Sequence, residues 1–177
     1  MIVAPRPPAL SVAGPVGGQG ELCRTILADL PEYFALSESN AAYARAADEL
    51  TCFVGSVVVA GGAGERTDPG TAAETPRPAG LLVLKQTSEV AVELHLVCVL
   101  RAFHGVGLGG ALVRAAEAHL RAQGMRWFHV KTLGPSEPDE GYARTRAFYL
   151  KMGFEALEEI PAIWGPENPC LILVKRL

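Results

Sequence analysis

The sequence has no apolar run approaching the roughly 18–20 residues that a membrane span needs, so no membrane partner is expected. It has no excess of either charge. Sixteen Lys and Arg stand against nineteen Asp and Glu, a formal net charge of −3, and such a surface does not favour a nucleic-acid partner. It has no CxxC pair and no Cys/His cluster: Cys23, Cys52, Cys98 and Cys170 are dispersed, two of them inside strand-like apolar runs. That spacing does not suit a zinc site, so no metal is expected, and it reads as free, buried thiols in a reducing compartment. The opening stretch MIVAPRPPALSVAGPVGGQG has neither a basic n-region nor a continuous apolar core. No secretory signal is expected from it, and the expected location is cytoplasmic. What remains is an ordinary globular composition over 177 residues, enough for one domain with a sizeable core.

Residues 1–20 are rich in Pro and Gly and are expected to be loosely ordered, with Ala9–Ala13 able to add a short edge strand. Residues 21–177 are then the single domain. Leu22, Ile26, Leu27 and Leu30 fall at helical spacing before Pro31, and Ala42, Tyr43, Ala46 and Leu50 repeat that pattern. Cys52–Ala60 and Gly80–Lys85 read as Val- and Leu-rich strands. The intervening 61–78 has no apolar periodicity and many breakers, and is expected to be a flexible hairpin loop. Val90–Leu100 is a strand, Leu108–Gln123 a helix, Trp127–Thr132 a strand and Gly141–Met152 a helix. Phe154–Glu159 and Cys170–Lys175 are the last strands. This order predicts an α/β fold: a mixed, mostly antiparallel central sheet of six to seven strands, flanked by helices on both faces.

The richest segment lies between the third of these strands and the helix that follows it. Gly105, Gly107, Gly109 and Gly110 form a tight turn, where main-chain N–H groups crowd one point at a helix start and suit an anion such as a pyrophosphate. A P-loop needs Lys and Ser or Thr after its glycines, and neither follows. Gly105, Gly107 and Gly110 do match the GxGxxG spacing of a dinucleotide fold. Its context fails, because the next strand ends in Lys131-Thr132 where the ribose-binding carboxylate belongs.

A third reading fits better. Val97–Val113, VCVLRAFHGVGLGGALV, resembles the acetyl-CoA-binding motif of the GNAT superfamily of acyl-CoA-dependent N-acyltransferases, [Q/R]-x-x-G-x-[G/A] directly after a strand. Gly107 and Gly109 fill its two glycine positions, and His104 stands where Gln or Arg is usual. Arg146–Phe154, RAFYLKMGF, is similar to the superfamily's later helix-and-strand signature, about 40 residues farther on. The resemblance covers Gly80–Phe154. It implies acetyl-CoA as cosubstrate, with the main chain of Val97, Cys98 and Val99 along the pantetheine arm. His104, Gly105, Val106, Gly107, Leu108, Gly109 and Gly110 would stand around the pyrophosphate. Arg146 and Lys151, with Arg144, are within reach of the 3′-phosphate. Tyr142 takes the place of a common Asn in the cofactor site.

Acetyl transfer to an amine needs a neutral nucleophile, yet a lysine-like amine is neutral in only about one molecule in 2,000–3,000 at pH 7. Glu93 and His95, two apart on one strand, are expected to share a face with Val97 and Val99, opposite an apolar face of Leu94, Leu96, Cys98 and Leu100. Glu93 is expected to be the base, directly or through water, with His95 as the variant because imidazole titrates nearer neutrality. The competing reading places Glu93 at a solvated strand end. Tyr149, at the superfamily's position, is expected to act as the acid that protonates the departing sulfur. Tyr33, Phe34 and Trp164 are expected to wall the acceptor pocket. The whole reads as an N-acetyltransferase using acetyl-CoA on a primary amine by direct transfer, its acceptor a small molecule or a peptide. The mildly acidic charge points towards a cationic acceptor, and a homodimer is the default for a small enzyme. A non-catalytic acyl-CoA-binding sensor or regulatory module is the alternative from another class.

Overall fold

A computed structural model describes residues 8–34, 36–58 and 76–177. The elements are β1 (Ala9–Val16), α1 (Gly20–Ala28), α2 (Ser37–Glu49), β2 (Thr51–Val58), β3 (Pro76–Gln86), β4 (Ala91–Val99), α3 (Leu108–Ala122), β5 (Trp127–Leu133), α4 (Glu140–Lys151), β6 (Glu155–Ile160) and β7 (Cys170–Arg176). A short 3₁₀ turn, Arg101–Phe103, joins β4 to the glycine turn. The strands form one open seven-stranded sheet in the order β1-β2-β3-β4-β5-β7-β6. Every pair is antiparallel except β4 with β5, whose connection through α3 is the crossover a parallel pair requires. No helix of the described residues is long and apolar enough to cross a membrane.

Each face of the sheet carries its own core. Cys23, Ile26 and Leu27 of α1 and Ala44 and Ala47 of α2 pack on Leu81, Val83, Leu96 and Cys98. On the other face Leu112, Val113, Ala116 and Leu120 of α3 meet Leu82, Leu84, Leu94 and Phe128, with Tyr149 of α4 beside Phe154. Burying each such leucine contributes about 1.5–3 kcal/mol relative to exposing it. Gly55 on β2 and Gly80 on β3 let α3 lie close: a Cβ there would stand 2.8 Å from Leu108 Cδ1 and 3.0 Å from Leu112 Cδ1.

Three expectations change. Within 1–20, expected to be loosely ordered with a short edge strand possible at Ala9–Ala13, that edge strand runs on over Ala9–Val16, because Leu10 and Val12 have core to reach and β2 offers an edge. The hairpin loop over 61–78 lies outside the described residues except for 76–78, which open β3. The third change concerns β4. Val83 pairs with Leu96 but Leu84 pairs with Leu94, so His95 is an extra residue, a β-bulge. Alternation therefore breaks there. Val92 and Leu94 belong to the α3–α4 core, whereas Leu96 and Cys98 belong to the α1–α2 core, and Val97 and Val99 pack on the α3–α4 side. The single apolar face expected for Leu94, Leu96 and Cys98 does not exist.

Candidate active site

β4 and β5 are paired only from Ala91 and Trp127 to Leu94 and Val130. Beyond that point the described residues of β4 have a partner only in β3, and those of β5 only in β7. A cleft of about 610 Å³ runs between them, lined by Leu94–Val99 on one side and Val130–Thr132 on the other. It passes through the sheet, from Gly105, Gly107 and Gly109 on the α3–α4 side to Tyr33, Phe34 and Tyr43 on the α1–α2 side.

At the first end, Gly105 and Gly107 have φ of +78° and +94°, conformations that glycine adopts at least cost. Gly107 is the N-cap of α3, and no side chain caps the helix. The first helical bond runs from the Ala111 N–H to the Gly107 carbonyl, so the amides of Leu108, Gly109 and Gly110 have no helical acceptor. Arg114 and Lys151 line this part of the cleft. Thr132 Oγ1 is buried there without a hydrogen-bond partner, an orphan that a bound ligand would satisfy.

At the other end His95 stands in the bulge, its ring 5.5 Å from Tyr43. Glu93 Oε1 lies 3.4 Å from His95 Nδ1, and its Oε2 accepts from Lys131 Nζ at 2.9 Å. Glu93 is only 7% exposed. Burial by itself would raise its carboxyl, but the hydrogen bonds from His95 and Lys131 outweigh that and hold it at about 2. Tyr149 is buried between Phe148 and Phe154, and burial raises its phenol far above the ordinary value. Tyr142, whose N–H donates to the N-capping Asp139, sets its ring 6.0 Å from Tyr33 across the mouth of the cleft.

The family model for the acetyltransferase (GNAT) domain matches residues 51–156, well over half of the chain. The chain belongs to the GNAT family. No curated protein matches it in sequence. Among solved structures, a Desulfovibrio desulfuricans protein assigned to the GNAT family superposes with a TM-score of 0.73 at 19% identity, over 95% of this chain and 99% of that one. The ribosomal-protein-S18-alanine N-acetyltransferase of Escherichia coli gives 0.64 at 15%, over 95% and 94%. A GNAT acetyltransferase from Elizabethkingia anophelis, solved with acetyl-CoA bound, gives 0.62 at 13%, over 95% and 98%. At these identities the likeness is one of fold.

In this GNAT protein the cleft gathers most residues that the sequence singled out: His95, Val97, Cys98, Val99, His104, Gly105, Gly107, Leu108, Gly109, Gly110, Tyr142, Tyr149 and Lys151, with Tyr33, Phe34 and Trp164. Three lie outside its lining. Val106 packs with Leu108 on Val57 and Ala79. Arg146 gives its guanidinium to the carbonyls of Leu133 and Gly134, at 2.9 and 3.4 Å, and so fastens α4 to the end of β5 instead of facing a phosphate. Glu93 sits behind His95 and Lys131, neither at a solvated strand end nor at the cleft. His104, expected beside the pyrophosphate, donates from Nε2 to the Val99 carbonyl at 2.8 Å and pins the turn to β4. The Cys98 side chain belongs to the α1–α2 core, where burial pushes its thiol well above the usual range.

Among the residues of the GNAT cleft that the sequence did not single out are Tyr43, Arg114, Lys131 and Thr132. Tyr43 lies on a helix stripe indistinguishable from core packing. Lys131-Thr132 did carry a signal, a polar pair at the carboxyl end of a strand beside a change in strand order, where α/β sheets bind ligands.

Proposed function

We propose that this protein transfers the acetyl group of acetyl-CoA directly to a primary amine, without a covalent intermediate on the chain. The observation that carries this reading is the single cleft through the sheet, with uncapped helix amides at one end and His95 at the other. Acetyl-CoA supplies the acyl group, activated as a thioester. The amides of Leu108, Gly109 and Gly110, with Arg114 and Lys151, suit its phosphates. The free edges of β4 and β5 and the orphaned Thr132 hydroxyl suit its amide-bearing arm.

His95 is the base in this reading. With Nδ1–H donating to Glu93, Nε2 is left as the acceptor for the ammonium proton. Glu93, expected to be the base, is too acidic for that task and instead orients His95. Tyr149, expected to protonate the departing sulfur, is made a poorer acid by burial. In this reading it donates a hydrogen bond to the thiolate, which takes up the proton that the nitrogen loses as the amide forms. The test is free-thiol release across an amine panel, run beside calorimetric binding of acetyl-CoA. His95→Gln should lower kcat/KM about 10²–10⁴-fold and leave acetyl-CoA affinity unchanged. Unimpaired transfer by both His95→Gln and Tyr149→Phe would refute the assignment, and acetyl-CoA binding without transfer to any amine would favour a sensor.

A further inference from the structure

The acceptor end of the cleft has a charge pattern that narrows the amine. Among the described residues lining the cleft there is no Asp and no Glu, while Arg114, Lys131, Arg144 and Lys151 are all there. Arg114 and Lys151 lie towards the glycine turn: Arg114 Nη1 is 3.1 Å and Met152, the neighbour of Lys151, is 3.5 Å from where a Gly110 Cβ would stand. Lys131 lies at the other end. A polycationic acceptor would meet these cations with no carboxylate in the lining to receive it, and the whole-chain charge of −3 is spread elsewhere.

Lys131 and His95 are held as a pair, because they bind opposite oxygens of the same Glu93 carboxylate. One of the three Lys131 ammonium donors serves Glu93, which leaves two. Its side chain is 30% exposed, and it lines the cleft that Glu93 itself does not reach. Beside this pair stands an aromatic wall. Tyr43 lies edge-on to Phe34 at 5.9 Å, Tyr33 edge-on to Tyr142 at 6.0 Å, and Trp164 completes the lining.

Taking the amine-acetyltransferase reading of the cleft as its basis, we infer that the acceptor is a free α-amino acid with an aromatic or large apolar side chain, its carboxylate held by Lys131, its amine at His95 and its side chain against the aromatic wall. An α-amino acid carries amine and carboxylate on one carbon, which matches two side chains tied to one carboxylate. Charge closes as well. The zwitterion enters neutral, and once its ammonium proton has moved to His95 Nε2, the imidazolium is balanced by the substrate carboxylate on Lys131. Three points of attachment also impose a preference for one enantiomer.

The experiment compares L-phenylalanine, D-phenylalanine, phenethylamine and spermidine, in transfer and in calorimetric titration into protein saturated with CoA. Loss of the carboxylate should weaken binding and raise KM by about ten- to hundredfold, and the two enantiomers should differ by at least a comparable factor. Lys131→Met should bring phenylalanine and phenethylamine to the same Kd, and Lys131→Arg should restore the difference, with Tm confirming that both variants fold. Phenethylamine binding as tightly as phenylalanine, or spermidine being the preferred acceptor, overturns the inference and leaves amine acetylation standing. Acetyl-CoA binding with no amine acetylated overturns that basis too, and this inference with it.

Discussion

Glu93 is a charge in a buried place, and its consequences can be read without any ligand. A lone buried carboxylate would protonate, but Lys131 and His95 keep this one charged and hold it at about 2, against an ordinary 4.5. Its folded value lies below its unfolded one, so its contribution to stability is complete above about pH 4.5 and is lost as the pH falls towards 2. The difference corresponds to on the order of 3 kcal/mol. Glu93→Gln should therefore be less stable than the wild type at pH 7 and should lose less stability between pH 4.5 and 2, as urea midpoints at several pH values would show. Equal acid sensitivity of the two proteins would mean that Glu93 is not held by its neighbours. Glu93 and His95 stood out in the sequence as polar residues in an apolar strand. Their division of labour did not, because it depends on Lys131, which reaches them from another strand 38 positions away in sequence.

At the scale of elements, the glycine turn separates two jobs that glycine can do. Gly107 has φ of +94°, and a Cβ there would meet nothing closer than Leu10 Cδ1 at 4.0 Å, so Gly107→Ala acts through the backbone alone. It should destabilise the protein by about 1–2 kcal/mol and also weaken CoA binding, since the turn's amides would reorient. Gly109 is different. It lies inside α3, and its Cβ would sit 3.5 Å from Phe148 Cζ, an ordinary contact. Gly109→Ala should raise stability by up to about 1 kcal/mol through helix propensity, yet weaken CoA binding by narrowing the cleft. Thermal melts with calorimetric Kd values decide this: a lower Tm together with weaker CoA binding would make Gly109 a packing residue. The turn and its helix were legible because glycine spacing and a 3.6-residue period are local signals. The β4 bulge was not. Leu94, Leu96 and Cys98 alternate as a regular strand would, and only the pairing with β3 shows that an extra residue has been inserted.

For the molecule as a whole, the decisive feature is that the sheet is continuous at one end of β4 and β5 and parted at the other. The sequence supplied the strand count and the mixed character, since a helix between two apolar strands implies a parallel pair. It could not supply the length of that pairing, which ends at Leu94 and Val130 for reasons set by the bulge beside it and by the cores on both faces. The parted edges leave main-chain groups of residues 96–99 and 131–133 without strand partners between β4 and β5. A ligand lying between them should act as a missing strand. At 100 times its Kd it stabilises the folded state by about 2.7 kcal/mol, which for a chain of this size corresponds to about 5–10 °C in Tm. The distribution of that gain is the sharper test. Hydrogen exchange with and without CoA should show new protection at 96–99, at 131–133 and at 108–110, and little change at Ala91–Leu94, whose ladder is already complete. Uniform protection across the sheet would mean that the ligand merely suppresses global unfolding, and protection confined to β1 or β6 would place its site elsewhere.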